Sequence, residues 1–500
     1  MKHCFTATLS LFVVLLCFMG CKKDEQIADK PLKLLHATKG ANPGIYDTDG
    51  RYVLLRGANF NALGDYWQGD ASAAPTLNYS AENFKQMAAS GFNCVRLLFH
   101  WSKLMPQKGV ISQAYIQQLK LAIEDAAKYN IYVVLDMHQD AYSKYIATPS
   151  PSLCTVPAKG WDGAPQWATM TDGESTCTTD GSRESAPAVY HAAHNFWGNT
   201  NGIQDECISA WTELVKQTCG YPNLAGYDML NEPNMGYGTL YEEKDKLDAY
   251  YTKLFAAIRN AEAASGNGTH IIFFEMAVTV AGAPNPIFPS ITFATDDNVV
   301  FSPHHYFESI SYGASIEDGY NALHFSNNTF YKTAMWMGEW GYFGGVSDTS
   351  KIRRFGAVED SLFCGSTWWQ WSQAPGDPHS VQWNGVAYEA SATGMALVEV
   401  NKGGTQTGAM NDAFLQVLSR SRPLAIAGQP KKLRSNPHTG AMYLEASLSS
   451  EGQTELWIPD RFGSPKISGS NVQSFTLDKV DGGYRATLNV KGDYTAVVGF

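Results

Sequence analysis

"AGYDMLNE", residues 225–232, is an apolar run that ends in an amide and a carboxylate. Its near-continuous apolar character is that of a parallel strand covered on both faces. A charge at its end, Glu232, is costly unless something needs it. The same format recurs along the chain. "RYVLLRGANF" (51–60), "FNCVRLLF" (92–99) and "IYVVLDMH" (131–138) come before it. "HIIFFE" (270–275), "NVVFSPHHY" (298–306), "AMWMGE" (334–339) and "CGSTWWQW" (364–371) follow. Helical patterns lie between the runs. Ser80 is placed to cap a helix that buries Phe84, Met87 and Ala88 and stops at Gly91. Ile116, Leu119, Ile123 and Ala126 form one stripe, and Leu247, Leu254, Ile258 and Ala261 another. Eight strands alternating with helices predict an α/β protein, a (β/α)8 barrel. A doubly wound sheet is the rival, and no glycine-rich phosphate turn supports it.

Past residue 420 the texture changes to short alternating strands such as "MYLEAS", "TELWIP" and "YTAVVGF", separated by Gly, Ser and Asp. These predict a small antiparallel β-sandwich. The expected organisation is a leader over 1–21, a tether over 22–44, a barrel over 45–420 and the β-domain over 421–500. A chain of 500 residues is long enough for all of it. The irregular stretch 141–200 is expected to form a wall at the barrel mouth.

The leader opens with Lys2, continues as an apolar stretch to Gly20 and ends at Cys21, followed by two lysines. It has the form of a secretory signal. Gly20-Cys21 resembles the lipobox of bacterial lipoproteins, with Phe18 where Leu is usual. That resemblance implies a lipidated Cys21, a membrane anchor and a place outside the cytoplasm, at the cell surface or in the periplasm. An oxidising compartment permits disulfides. Cys154 with Cys177, and Cys207 with Cys219, are the expected pairs, and Cys94 and Cys364 the expected buried thiols. The formal charge of −11, with no basic run, argues against a nucleic-acid partner. No Cys-x-x-Cys or Cys/His cluster suggests a metal, no cofactor is expected, and a monomer is the expected state.

Polar residues converge at the C-terminal ends of the strands, where barrel chemistry is done. They are Arg96, Asp136, His138, Asp140, Asn231, Glu232, His304, His305, Tyr306 and Glu339, with Trp368, Trp369 and Trp371 on the last strand. Glu232 and Glu339, at the ends of strands four and seven, face each other across the mouth. Two carboxyls flanking one bond are what glycoside hydrolysis needs: one protonated to release the leaving oxygen, one ionised to attack. Their environments must push their pKa values apart. A burial-raised Glu232 and a Glu339 held ionised by Arg96 and Tyr306 would do so. Arg96 as a structural partner of Asp136 is the alternative for that residue, and core packing is the alternative for the histidines and indoles. By strand alternation Trp369 and Trp371 share a face and Trp368 does not.

"LNEP" after strand four and "GEWG" after strand seven resemble glycoside hydrolase family 5, a family of (β/α)8 retaining hydrolases. The resemblance implies Glu232 as acid/base and Glu339 as nucleophile. Asn231 would bind a sugar 2-hydroxyl, with Arg96, His138, His304 and Tyr306 in matching positions. "DMHQDAYS" (136–143), "GAPQWATMTDG" (163–173), "NFWGN" (195–199), "DMLNEP" (228–233) and "RPLAIAGQP" (422–430) are similar to the endoglycoceramidases of that family. They imply cleavage between sugar and ceramide, with Asp140 on the sugar next to the scissile bond and Trp167, Trp369 and Trp371 as aromatic contacts. The family often carries a Lys soon after strand one, and "RGANFNALGDYWQG" has none, so the sugar in that subsite is open to change. The alternatives are a galactosyl-lipid relative, a β-glucanase or β-glucosidase, and a non-catalytic glycan-binding lipoprotein, which would need neither glutamate.

Overall fold

The computed structural model describes Met1 and residues 31–66, 76–146, 161–178, 183–236, 240–277, 287–309, 313–342, 349–372 and 396–500. The expected leader and Cys21 lie outside the described residues. Three short strands come first: β1 (Leu35–Thr38), β2 (Gly44–Asp47) and β3 (Tyr52–Val53). Then the barrel begins with β4 (Arg56–Phe60), β5 (Cys94–Phe99), β6 (Tyr132–Met137), β7 (Leu224–Asp228), β8 (Ile271–Phe274) and β9 (Val299–Phe301). β10 (His304–His305), β11 (Ala334–Trp340) and β12 (Gly365–Trp368) complete it. β4 to β9 pair in sequence order, β9 pairs with β11, β11 with β12 and β12 with β4, all parallel. The sheet closes as the eight runs predict, and β10 extends the sixth strand along β11.

Helices over Glu82–Ala89, Gln113–Lys128, Ile203–Thr218, Leu240–Ser265, Ile316–Phe330 and Ser350–Ser361 cover the outside. Ser112 caps the second of them by accepting the Tyr115 N–H, and its stripe of Ile116, Leu119 and Ile123 is fully buried. Inside the barrel the lower half is apolar, with Val134, Ile271, Phe273, Val300 and Trp336 packed together. Leu35, Ala37 and Ile45 of β1 and β2 join that cluster and so plug the base. The upper half is polar and forms the site.

The C-terminal part has a hairpin, β13 (Val398–Val400) with β14 (Gln406–Met410), and then eight strands. These are β15 (Arg422–Ile426), β16 (Gln429–Ser435), β17 (Met442–Ser447), β18 (Glu451–Pro459), β19 (Lys466–Ser468), β20 (Val472–Val480), β21 (Gly483–Lys491) and β22 (Tyr494–Gly499). Two sheets pack face to face, one in the order β16-β17-β22-β19 and the other β1-β2-β3-β15-β18-β21-β20. The second sheet corrects the expected tether over 22–44. Residues 35–38 and 44–47 are strands of the β-domain, because β3 pairs antiparallel with β15.

A buried ionic quartet fastens the barrel wall to this domain. Arg56 binds Asp360 at 2.7 Å and Glu359 at 3.2 Å, and Arg420 binds Glu359 at 2.5 Å and Asp360 at 3.0 Å. Arg420→Ala leaves two buried carboxylates short of one cation and should cost about 3–5 kcal/mol in an unfolding titration; a loss below about 1 kcal/mol would mean the quartet contributes little. Burial works to raise Asp360, but Arg420 and Arg56 outweigh it and hold the carboxyl below its ordinary value. Its contribution is therefore complete above the unfolded carboxylate pKa of about 3.9 and is lost as pH falls through the folded value.

One expected disulfide is overturned. Cys207 and Cys219 are both free and buried. They lie twelve residues apart on the helix Ile203–Thr218 and its C-cap, so at ~1.5 Å per residue their backbones are about 18 Å apart, beyond disulfide reach. Cys94 and Cys364 are buried thiols as expected. Cys177 is disulfide-bonded, while Cys154 lies outside the described residues.

Candidate active site

Arg96 stands at the centre, fully buried on β5 and surrounded by carboxylates. It reaches Asp136 of β6, Asp228 of β7 and Glu275 just past β8, each at 3.0 Å, and Glu339 of β11 at 2.9 Å. Its Nη2 also donates to Asn231 Oδ1 at 2.9 Å and its Nη1 to Asn59 Oδ1 at 3.2 Å. Both readings of Arg96 therefore hold: it pairs with Asp136 and it holds Glu339. Burial pushes Asp228 up to about 6, against the pull of Arg96.

Glu339 receives Arg96 on Oε1 and the Tyr306 hydroxyl on Oε2, the latter at 2.9 Å. Glu232, after β7, faces it. Carboxylate oxygens of the two glutamates and a nitrogen of His304 all lie within 4.8 Å of one another. His304 Nδ1 is 2.7 Å from Glu232 Oε1 and 3.5 Å from Glu339 Oε2, and its Nε2 is 3.3 Å from Glu275. Burial disfavours the imidazolium, but Glu275 and Glu339 overcome it and hold His304 well above its ordinary value. The expectation about burial is reversed. The Glu232 side chain is 23% exposed and that of Glu339 6%, and burial raises Glu339, with His304 and Arg96 opposing. The reason is position: Glu339 lies within a strand and Glu232 beyond the end of one.

His138 follows β6. Its Nδ1 is 2.7 Å from Asp136 and its Nε2 3.5 Å from Asp140. Burial opposes its charge and Asp136 and Asp140 restore it, well above the ordinary value. Asp140 is buried, its N–H held by Asp162 Oδ1 at 2.6 Å. His100 accepts the Asp65 N–H on Nδ1, so its Nε2 carries the proton, 3.6 Å from Asp162. Donor atoms of His138, Asp140 and Asp162 also come within 4.8 Å of one another.

The indoles divide. Trp369 stacks on His138, ring centroids 5.4 Å apart and planes 16° apart, and belongs to the site. Trp371 does not. It is fully buried behind the barrel wall, its indole N–H on Asn83 Oδ1 and its ring against Phe92. β12 ends at Trp368, so strand alternation does not carry to residue 371. Trp167 is a layer behind the site, edge-on to Trp101 with its N–H on the Met105 carbonyl. His305 points outward, bound to the Ile316 carbonyl and packed on Phe355, and burial lowers its pKa.

Beside His138 an apolar pocket opens, lined by Trp101, Tyr142, Phe196, Trp197 and Leu230. The helix Pro187–Trp197 supplies two of these rings, so part of the 141–200 stretch is the wall it was expected to be. Glu275, Asp228, Gln139 and Asp162 were missed from the sequence. Glu275 carried a readable signal, a carboxylate ending the apolar run "HIIFFE" as Glu232 and Glu339 end theirs.

The family model described as Cellulase, glycosyl hydrolase family 5, matches residues 46–375. Endoglycoceramidase I of Rhodococcus hoagii is 29% identical over 275 residues, 52% of this chain and 51% of that protein. The chain thus spans about half the length of the curated relatives it matches. A crystal structure of endogalactoceramidase is similar over 94% of this chain and 100% of that one, at 34% identity and a TM-score of 0.82. Endo-glycoceramidase II from Rhodococcus sp. shares the fold at a TM-score of 0.69 and 22% identity, over 92% of this chain and 99% of that one. With the family model running from β2 past β12, over the strands that carry both glutamates, the chain belongs to glycosyl hydrolase family 5.

Proposed function

We propose that the protein is a retaining endo-β-glycosidase that cleaves the bond between sugar and ceramide in glycosphingolipids. The observation that carries the reading is the pair Glu232 and Glu339, with carboxylate oxygens within 4.8 Å, next to a pocket of aromatic side chains. Retaining enzymes hold their carboxyls about 5–5.5 Å apart, inverting ones about 6.5–9.5 Å.

Glu339, oriented by Arg96 and Tyr306, attacks the anomeric carbon and forms a glycosyl ester. The bond from that carbon to the ceramide oxygen breaks, and Glu232 gives this oxygen its proton. Glu232 then takes a proton from water, whose oxygen attacks the same carbon and expels Glu339 as carboxylate. One water is consumed, and intact oligosaccharide and ceramide leave. Asp140 and Asn231 face the sugar in this scheme, and Trp369 backs His138. The apolar pocket suits a lipid aglycone. The leader supports secretion and anchoring through Cys21, and with it a substrate met outside the cytoplasm. A galactosyl lipid is the second reading, favoured by the 34% identity to an endogalactoceramidase and by the missing lysine after β4.

Digestion of a ganglioside should release the intact head group and ceramide, seen by mass spectrometry. Free monosaccharide, or no product from either glucosyl- or galactosyl-linked ceramides, would sink the proposal. The ratio between those two linkages decides between the readings.

A further inference from the structure

Glu232 has a backbone φ of +38°, in a region that non-glycine residues rarely adopt. Such a conformation is strained and persists where surrounding contacts over-determine it. Two side chains grip its peptide groups. Gln139 Nε2 donates to the Glu232 carbonyl at 2.7 Å and to the Asn231 carbonyl at 2.9 Å. On the other side the Glu232 N–H donates to Glu275 Oε2 at 2.8 Å.

The second oxygen of Glu275 does different work. Oε1 accepts from Arg96 Nη2 at 3.0 Å and lies 3.3 Å from His304 Nε2. The opposite nitrogen of that imidazole meets Glu232 Oε1 at 2.7 Å. One carboxylate thus touches the backbone of Glu232 directly and its carboxyl group through one ring. Glu275 itself is 2% exposed, at the end of β8, and its own carbonyl accepts the Tyr251 hydroxyl at 3.1 Å. It is too deep to meet a sugar.

We propose that Glu275 is a positioning residue for Glu232, fixing its left-handed backbone through Oε2 and holding the His304 imidazole against its carboxyl group through Oε1. The inference rests on Glu232 being the acid/base. The charges that face this assembly are Arg96 from β5, Asp136 from β6 and His138 just past it, Asp228 from β7 and Glu339 from β11, with the hydroxyls of Tyr251 and Tyr306.

The test separates proton donation from the rest of catalysis. An octyl β-glycoside needs a proton on its leaving oxygen, whereas a 2,4-dinitrophenyl β-glycoside of the same sugar does not. Glu275→Gln should lower kcat/KM on the octyl glycoside by about 10–100-fold, as a displaced general acid does. On the dinitrophenyl glycoside the loss should stay below about threefold. Equal losses on both substrates would overturn the proposal. Glu275→Asp keeps the carboxyl group but draws it back from the Glu232 N–H. It should show the same leaving-group split, and no split would again overturn the proposal, even if the Gln variant does not fold. Neither substrate is a glycolipid. A wild type that cleaves both but leaves glycosphingolipids intact overturns the proposed lipid substrate alone, and one that cleaves neither overturns both readings.

Discussion

Glu339→Gln should lower kcat on any β-glycoside by about 10⁵-fold, because removing a nucleophile takes away the step on which the rest depends. The substitution keeps the shape of the side chain, and its amide oxygen can still accept from Arg96 or Tyr306, so the fold should survive. Azide gives the test its sign. Glu339→Gly with azide should yield the α-glycosyl azide, since the anion enters from the face the carboxylate left. A β-azide would mean the roles of the two glutamates are exchanged. The wild-type acid limb of kcat/KM should lie above the ordinary glutamate value of about 4.3, because burial raises Glu339. A limb at or below that value would contradict the reading.

Glu232→Ala should be the second large loss, and a selective one. General acid catalysis is worth about 10²–10⁴-fold, so turnover of a ceramide or alkyl glycoside should fall by about 10³-fold. A dinitrophenyl glycoside should still form the glycosyl ester at near the wild-type rate and then stall, giving a burst of dinitrophenol followed by slow turnover. Azide should restore turnover and give the β-glycosyl azide. A variant that loses both substrates equally would remove Glu232 from the acid/base role.

The barrel was legible because parallel strands covered on both faces read as unbroken apolar runs, and all eight runs are strands. The pair of glutamates was legible for a related reason: a charge that ends an apolar run stands out. Glu275 had the same signal but lacked the motif that drew the eye to "NEP" and "GEWG". The failures share a different cause, three-dimensional partners that leave no local mark. Nothing in residues 35–53 announces that β3 will pair with β15. Strand alternation misplaced Trp371 because the strand ends three residues earlier. The spacing of Cys207 and Cys219 suggested a bridge, but a continuous helix holds them apart.

The sheet shared by β1–β3 and β15 makes the chain a loop fastened at both ends. Arg422 reaches the Leu54 carbonyl across 368 residues of sequence, and β3 remains an edge until β15 arrives. A ribosome delivers the whole barrel before it delivers that partner, and contacts of such long range form late. The nascent protein therefore carries the open edge of β3 until residues 422–426 have emerged.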